Sequence, residues 1–159
     1  VDICSFSRIK PMVNQVEVHP FYQQEEAKKW MDKYSVQIEA WAPFGEGRGN
    51  MFQNPVLNEI GKKYGKSAAQ VILRWHLQRG VVVIPKSTHI ERMQENLNVF
   101  DFALSAEDMA RIAALDTKMS AFFSHYDPAK VEWFANMVEE RKKNHDSTKE
   151  KRIGKGGKG

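Results

Sequence analysis

The sequence predicts a parallel α/β fold, and three observations carry that expectation. Three short apolar runs, at residues 12–18, 36–41 and 81–84, each end in polar or Gly/Pro punctuation, as strands do. The first two alternate only partly and the third is continuously apolar and β-branched, the pattern of strands covered on both faces of a parallel sheet. Helical periodicity separates the runs, and parallel strands need crossovers of that kind. An open doubly wound sheet and a piece of a (β/α)8 barrel both satisfy these conditions, whereas a whole barrel of about 250 residues does not fit a 159-residue chain.

Taken in order, the first strand is followed by residues 24–33, where Ala27, Trp30 and Met31 recur at helical spacing. The second strand leads to Asn54-Pro55, a cap and a first-turn proline for a helix over 56–64 that Gly65 stops. Ser67 and Gln70 stand at capping-box spacing ahead of an apolar stripe, Ala68, Val71, Ile72 and Trp75, and Gly80 ends that helix before the third strand. Thr88 with Glu91, and Ser105 with Asp108, repeat the box ahead of helices over 90–97 and 106–115.

Composition narrows the functional classes. The chain is 42% hydrophobic and 28% charged, and no apolar run approaches the roughly 18 residues of a membrane span, so no membrane role is expected. The start at Val1, without an initiator Met or an apolar leader, reads as a cut rather than a signal. A lone Cys4 forms neither an internal disulfide nor a cysteine metal site, which suits a reducing compartment, the cytoplasm by default. The net charge of +4 arises largely in a Lys/Gly-rich tail, expected to be a helical or disordered solvated end with no nucleic-acid partner.

In α/β folds ligands gather at the carboxyl ends of strands. There the sequence places Glu17-Val18-His19-Pro20, then Trp41-Ala42-Pro43-Phe44-Gly45, then Pro85-Lys86-Ser87-Thr88. The last combines an ammonium, two hydroxyls and the free N–H groups of a helix start, a set that holds phosphate, and Arg92 one turn later adds a bidentate guanidinium. The competing account makes Lys86 and Arg92 solvated surface residues, Ser87 or Thr88 a cap, and Trp41 core packing. His19 reads as a turn residue with a satisfied imidazole and no carboxylate, Ser or Cys arranged around it, and His76 as a helix residue away from any site. No helical histidine pair suggests a metal, and neither a GxGxxG nor a GxxxxGK[ST] phosphate loop is present; Gly45-Glu46-Gly47-Arg48-Gly49 lacks their spacing and is expected to be a flexible loop.

Taken together, the segments 13–20, 40–45, 70–80 and Ile84-Pro85-Lys86-Ser87 with Arg92, Glu95 and Asn96 resemble consecutive segments of the aldo-keto reductases. The resemblance covers residues 1–134, leaving 135–159 as a separate basic tail. It implies a partial (β/α)8 TIM barrel that begins inside the fifth barrel helix and supplies strands six to eight with their helices. It also implies NADP(H) as cofactor. Gln15 would hydrogen-bond the nicotinamide carboxamide, Trp41 would stack on its ring, and Ala42, Pro43 and Phe44 would line the pyrophosphate path. Lys86, Ser87, Thr88 and Arg92 would surround the adenosine 2′-phosphate, and Glu95 and Asn96 would contact adenine. Phe122, Phe123, His125 and Tyr126 fall where the family has a loop over the substrate pocket.

The family reduces aldehydes and ketones by hydride transfer with a Tyr, Lys, Asp and His tetrad that lies before Val1 on this alignment. No residue of this chain replaces them. The expectation is therefore a piece of an NADP(H)-dependent carbonyl reductase, inactive alone. The alternative is a non-catalytic half-barrel with weak nucleotide binding. Either way, three strands with two open edges invite self-association.

Overall fold

The computed structural model describes the backbone of residues 1–124 and 126–153, and side chains as far as Lys142 apart from His125. It divides into two units, Val1–Ala121 and Phe122–Gly159. The first contains α1 (Asp2–Phe6), β1 (Val13–Glu17), α2 (Glu25–Lys33), β2 (Gln37–Trp41), α3 (Pro55–Tyr64), α4 (Ala68–Gln78), β3 (Val82–Val83), α5 (Ile90–Leu97) and α6 (Ala106–Ala113). The strands form a parallel sheet in the order β1-β2-β3, with Gln15 opposite Glu39 and Glu39 opposite Val82. This is the predicted sequence of elements, built as expected on helical crossovers.

The helix starts follow the polar residues that precede them. Asn54 accepts the N–H groups of Val56 and Leu57 ahead of Pro55, and both Ser67–Gln70 and Ser105–Asp108 close reciprocal capping boxes. Gly65 ends α3 in the left-handed region at φ 64°. The third expected box does not form. His89 occupies the cap position of α5 without a side-chain bond, while the Ser87 hydroxyl has already accepted the His89 N–H at 3.1 Å. A serine two residues upstream closes a tight local turn and leaves Thr88 without the capping geometry.

The core lies between one face of the sheet and the helices: Ile38, Ala40, Leu57, Ile60, Val71, Ile72, Trp75 and Ile112 are all buried. The other face is open. Along β2, Ile38 and Ala40 are buried while Gln37 is exposed and Glu39 and Trp41 are half-buried; on β3 and just beyond it, Val82 and Ile84 remain 40% and 46% exposed. The expectation of strands covered on both faces is thus corrected, because nothing among the described residues packs on the second face. The same absence of a neighbour shortens β3 to two residues against the four expected. Apolar grooves of about 600 Å³ and 590 Å³ flank the free edges, the first lined by Ile3, Val13 and Trp30 and the second by Val82, Met93 and Leu97.

Gly61 is demanded by the α3–α4 corner. A Cβ there would stand 2.4 Å from the Lys66 carbonyl oxygen, a backbone atom that cannot swing aside. Gly61→Ala is expected to cost roughly 1–3 kcal/mol, read as a lower urea midpoint at unchanged slope.

His76 is fully buried in α4, with Nδ1 2.8 Å from the Ile72 carbonyl oxygen and Nε2 3.0 Å from that of Val18. It was expected away from any site, and it serves as a polar joint between α4 and the end of β1. Burial pushes its pKa down to about 4, outweighing the two carbonyls that favour the imidazolium. With the folded value below the ordinary 6.5, the unfolded chain binds the extra proton first. Stability is therefore complete above pH 6.5 and is lost as pH falls towards 4, by about 3 kcal/mol at most. Urea titrations at pH 7 and pH 4.5 are expected to show this loss in the native chain and a smaller one in His76→Gln.

In the second unit α7 spans Pro128–Ile153, with Phe123 edge-on to Phe134 and Trp133 edge-on to Phe134. The Gly/Lys residues 154–159, expected to be a solvated end, and His125 lie outside the described residues. No helix among the described residues is long and apolar enough to cross a membrane.

Candidate functional site

The sharpest sequence cluster is local, and the fold keeps it together. Immediately after β3 the chain passes through Lys86, Ser87 and Thr88 into α5, which carries Arg92, Glu95 and Asn96 on successive turns. These six residues, with Phe44, Phe52, Ala69 and His89, line one cavity of about 420 Å³. Of the eleven candidate residues, seven therefore meet there. Gln15, Trp41, Ala42 and Pro43 do not line it; they sit on or just beyond β1 and β2.

The cavity is cationic on one side and anchored on the other. Among the described residues neither the Lys86 ammonium nor the Arg92 guanidinium has a hydrogen-bonding or ion-pairing partner. Glu95, in the same lining, forms no ion pair with either cation among the described residues and is tied to the start of α4: its carboxylate accepts the Ser67 hydroxyl, and its backbone carbonyl accepts the Gln70 side chain at 3.1 Å. The Gln70 amide also reaches the Asn98 carbonyl at 2.9 Å, so the start of α4 clamps the end of α5. Two cations lining one concavity, without a carboxylate partner, are suited to an external anion.

The opposite wall comes from the segment after β2. Phe44 packs on Phe52 with ring centroids 5.5 Å apart. Between them the 3₁₀ segment Gly45–Gln53 is kinked, with Gly45, Glu46, Gly47, Gly49 and Asn50 all at positive φ. Ala42 is also in the left-handed region, at φ 48°, a costly conformation for a residue with a Cβ. The glycine-rich sequence foreshadows the turns here, but nothing in it foreshadows Ala42.

On the open face of the sheet Gln15, Glu39 and Trp41 share one side, since Gln15 is in register with Glu39 and Trp41 follows two residues later. The Gln15 amide nitrogen donates to the Glu39 carboxylate at 2.5 Å. Glu39 was not among the sequence candidates. Its only signal was the alternation of β2, which needs the register to become informative.

The sequence also missed the environment of His19. Its Nε2 is 2.9 Å from the Glu17 carboxylate, and both residues are 1% exposed, so the expectation of no carboxylate around it is corrected. Burial, more than offsetting the Glu17 hydrogen bond, lowers the His19 pKa. Glu17 further accepts the Ser120 hydroxyl at 2.5 Å and the Ala121 N–H at 2.8 Å. The carboxylate stands between the imidazole and the serine, so His19 and Ser120 are joined through Glu17. Asp108 is likewise structural: burial raises its pKa, but bonds from Lys63, Tyr64 and Ser105 outweigh this and hold it well below the ordinary carboxylate range. Among the described residues no group of His, Cys, Asp and Glu is arranged to hold a metal ion.

The aldo/keto reductase family model matches residues 2–117. Glyoxal reductase of Bacillus subtilis is 51% identical over 110 residues, 69% of this chain and 39% of that protein. Aldose reductase C of Dictyostelium discoideum is 43% identical over 119 residues, 75% of this chain and 37% of that protein. Among solved structures, a Bombyx mori aldo-keto reductase in complex with NADP superposes with a TM-score of 0.71 at 31% identity, covering 77% of this chain and 42% of that one. An aldo-keto reductase from a Medee basin deep-sea metagenome library gives 0.74 at 36%, covering 79% and 47%. The chain thus spans about two fifths of the length of the curated relatives it matches. The family's fold is a (β/α)8 barrel, and a three-stranded parallel sheet with helices on one face is consistent with part of one. With the match extending over well over half of its residues, and with the strand-exit geometry just described, this chain belongs to the aldo/keto reductase family.

Proposed function

We propose that this chain is the cofactor-binding part of an NADP(H)-dependent oxidoreductase that reduces aldehydes or ketones, contributing barrel strands six to eight in residues 1–134. The observation that carries the reading is the cavity in which Lys86 and Arg92 converge with no carboxylate partner among the described residues. Its volume of about 420 Å³ suits the adenosine end of a dinucleotide better than the whole molecule. The residues present fit that group. Lys86 and Arg92 would bind the 2′-phosphate through charge-assisted hydrogen bonds, with Ser87 and Thr88 beside them; Glu95 and Asn96 would meet the adenine.

From there the chain offers a path along the open ends of the strands. Phe44, Pro43 and Ala42 would flank the pyrophosphate, Trp41 would provide a face for the nicotinamide ring, and Gln15 would hydrogen-bond its carboxamide. The bound cofactor supplies the hydride. This chain orients it, while the proton donor and its partners belong to the remainder of the barrel. The free edges of β1 and β3, each beside an apolar groove, favour association with further strands, whether the rest of a barrel or a second copy. A reducing, cytoplasmic setting fits the lone, buried Cys4.

The reading is tested by titrating the chain with NADPH and NADH and following tryptophan fluorescence. NADPH is expected to bind at least ten-fold more tightly. Equal affinities would remove the 2′-phosphate from the account.

A further inference from the structure

We infer that Glu39 is a positioning residue that fixes which end of the Gln15 amide faces the ligand, and so makes this site selective for a carboxamide over an isosteric ketone. The inference rests on the cofactor reading above, within which Gln15 meets the nicotinamide substituent. It starts from the hydrogen bond between the two side chains, 2.5 Å from the Gln15 amide nitrogen to a Glu39 oxygen.

A glutamine amide carries a donor end and an acceptor end, and a free one presents either with a half-turn about its last bond. A carboxylate accepts only. With Glu39 directly across the parallel register on the same face, the NH₂ end of Gln15 is committed to it. One N–H of that end remains, but the amide can no longer turn over, so its carbonyl oxygen is held on the side away from the carboxylate, where it accepts from a ligand. The group that satisfies it must donate an N–H, as a carboxamide does and a methyl ketone does not. Trp41, on the same face two residues beyond Glu39, sets the plane in which that ligand ring would lie.

The sheet supports this role for Glu39. Its backbone is fixed from both sides, paired with Gln15 on β1 and with Val82 on β3, and its side chain is half-buried. Glu39 does not touch the cavity that holds Lys86 and Arg92. Amide selectivity and phosphate selectivity are therefore separable properties of one chain.

The test compares NADP⁺ with its 3-acetylpyridine analogue, in which a methyl replaces the amide NH₂, by fluorescence titration of the wild-type chain, Glu39→Gln and the double variant Gln15→Glu/Glu39→Gln. One hydrogen bond is expected to give the wild type about a five-fold or greater preference for NADP⁺. Glu39→Gln can present either end to Gln15, so the preference is expected to fall to within about two-fold, with the NADP⁺ over NAD⁺ ratio unchanged. The double variant exchanges the two groups across the register: the carboxylate at position 15 accepts both from the amide now opposite it and from the ligand. It is expected to restore the amide preference; a residue that merely supports the strand would not be rescued in this way. An unaltered analogue ratio in Glu39→Gln overturns the inference while leaving the phosphate reading standing. Absence of any NADP⁺ binding by the wild type overturns both.

Discussion

Replacing Lys86 and Arg92 together by alanine is expected to weaken NADPH binding by at least about a hundred-fold and to leave NADH within about two-fold. Each cation lines the same 420 Å³ cavity without an ion-pair partner among the described residues, so neither gives up an ion pair with them to receive a phosphate. A hydrogen bond to a charged group contributes about 1.5–3 kcal/mol, which is roughly ten-fold or more per residue. NADH brings no charge to this corner and so loses nothing. Both single variants are expected to fall between the extremes, and raising the salt concentration should narrow the gap between wild type and variant, because the lost term is electrostatic. Because both residues are exposed, the double variant should unfold at nearly the same urea concentration as the wild type, which separates a binding defect from a folding defect.

The largest effect on stability is expected at Trp75. Its ring is 1% exposed in the layer between the sheet and the helices, and it lies edge-on to His76 at 4.6 Å. The Arg79 guanidinium covers it at 4.3 Å and continues to Glu25 at 2.6 Å, so one side chain seats the start of α2 against the end of α4. Trp75→Ala combines a cavity with the loss of that seat, and a cost of about 3–5 kcal/mol is expected. Against a typical total of about 5–15 kcal/mol this is a large part of the margin. Trp75→Phe, which keeps a ring under Arg79, is expected to recover about half. Equilibrium urea unfolding followed by circular dichroism reads both, and a loss below about 1 kcal/mol for the alanine variant would show that the ring is dispensable to the core.

Much of this was legible in the sequence because the determinants are short-range. Asn54, Ser67 and Ser105 announce their helices from within three residues, and each cap is formed. Lys86 to Asn96 fall on one strand exit and the helix that follows, so their convergence needs only local geometry. Where a local signal had two outlets it misled: Thr88 and Glu91 have capping-box spacing, yet Ser87 captures the turn first. The remaining features depend on contacts that spacing does not encode. Glu17 meets Ser120 across 103 residues, and Glu39 meets Gln15 only once the register of β1 and β2 is set. The run at 81–84 reads as a strand covered on both faces, a property of neighbours as much as of valines. With no layer on its second face among the described residues, Val82 stays exposed. Ala42 adopts a left-handed conformation that no side-chain pattern at that position predicts.

The central claim, that the exit of β3 and the first turns of α5 read a ribose phosphate, is tested most directly by calorimetric titration with adenosine 2′,5′-bisphosphate against adenosine 5′-monophosphate. These ligands carry the adenine and ribose without the nicotinamide end, so the result does not depend on Gln15, Glu39 or Trp41. The account predicts that the bisphosphate binds at least ten-fold more tightly and that the difference vanishes in the Lys86→Ala/Arg92→Ala variant. Equal affinity of the two nucleotides for the wild-type chain would contradict it.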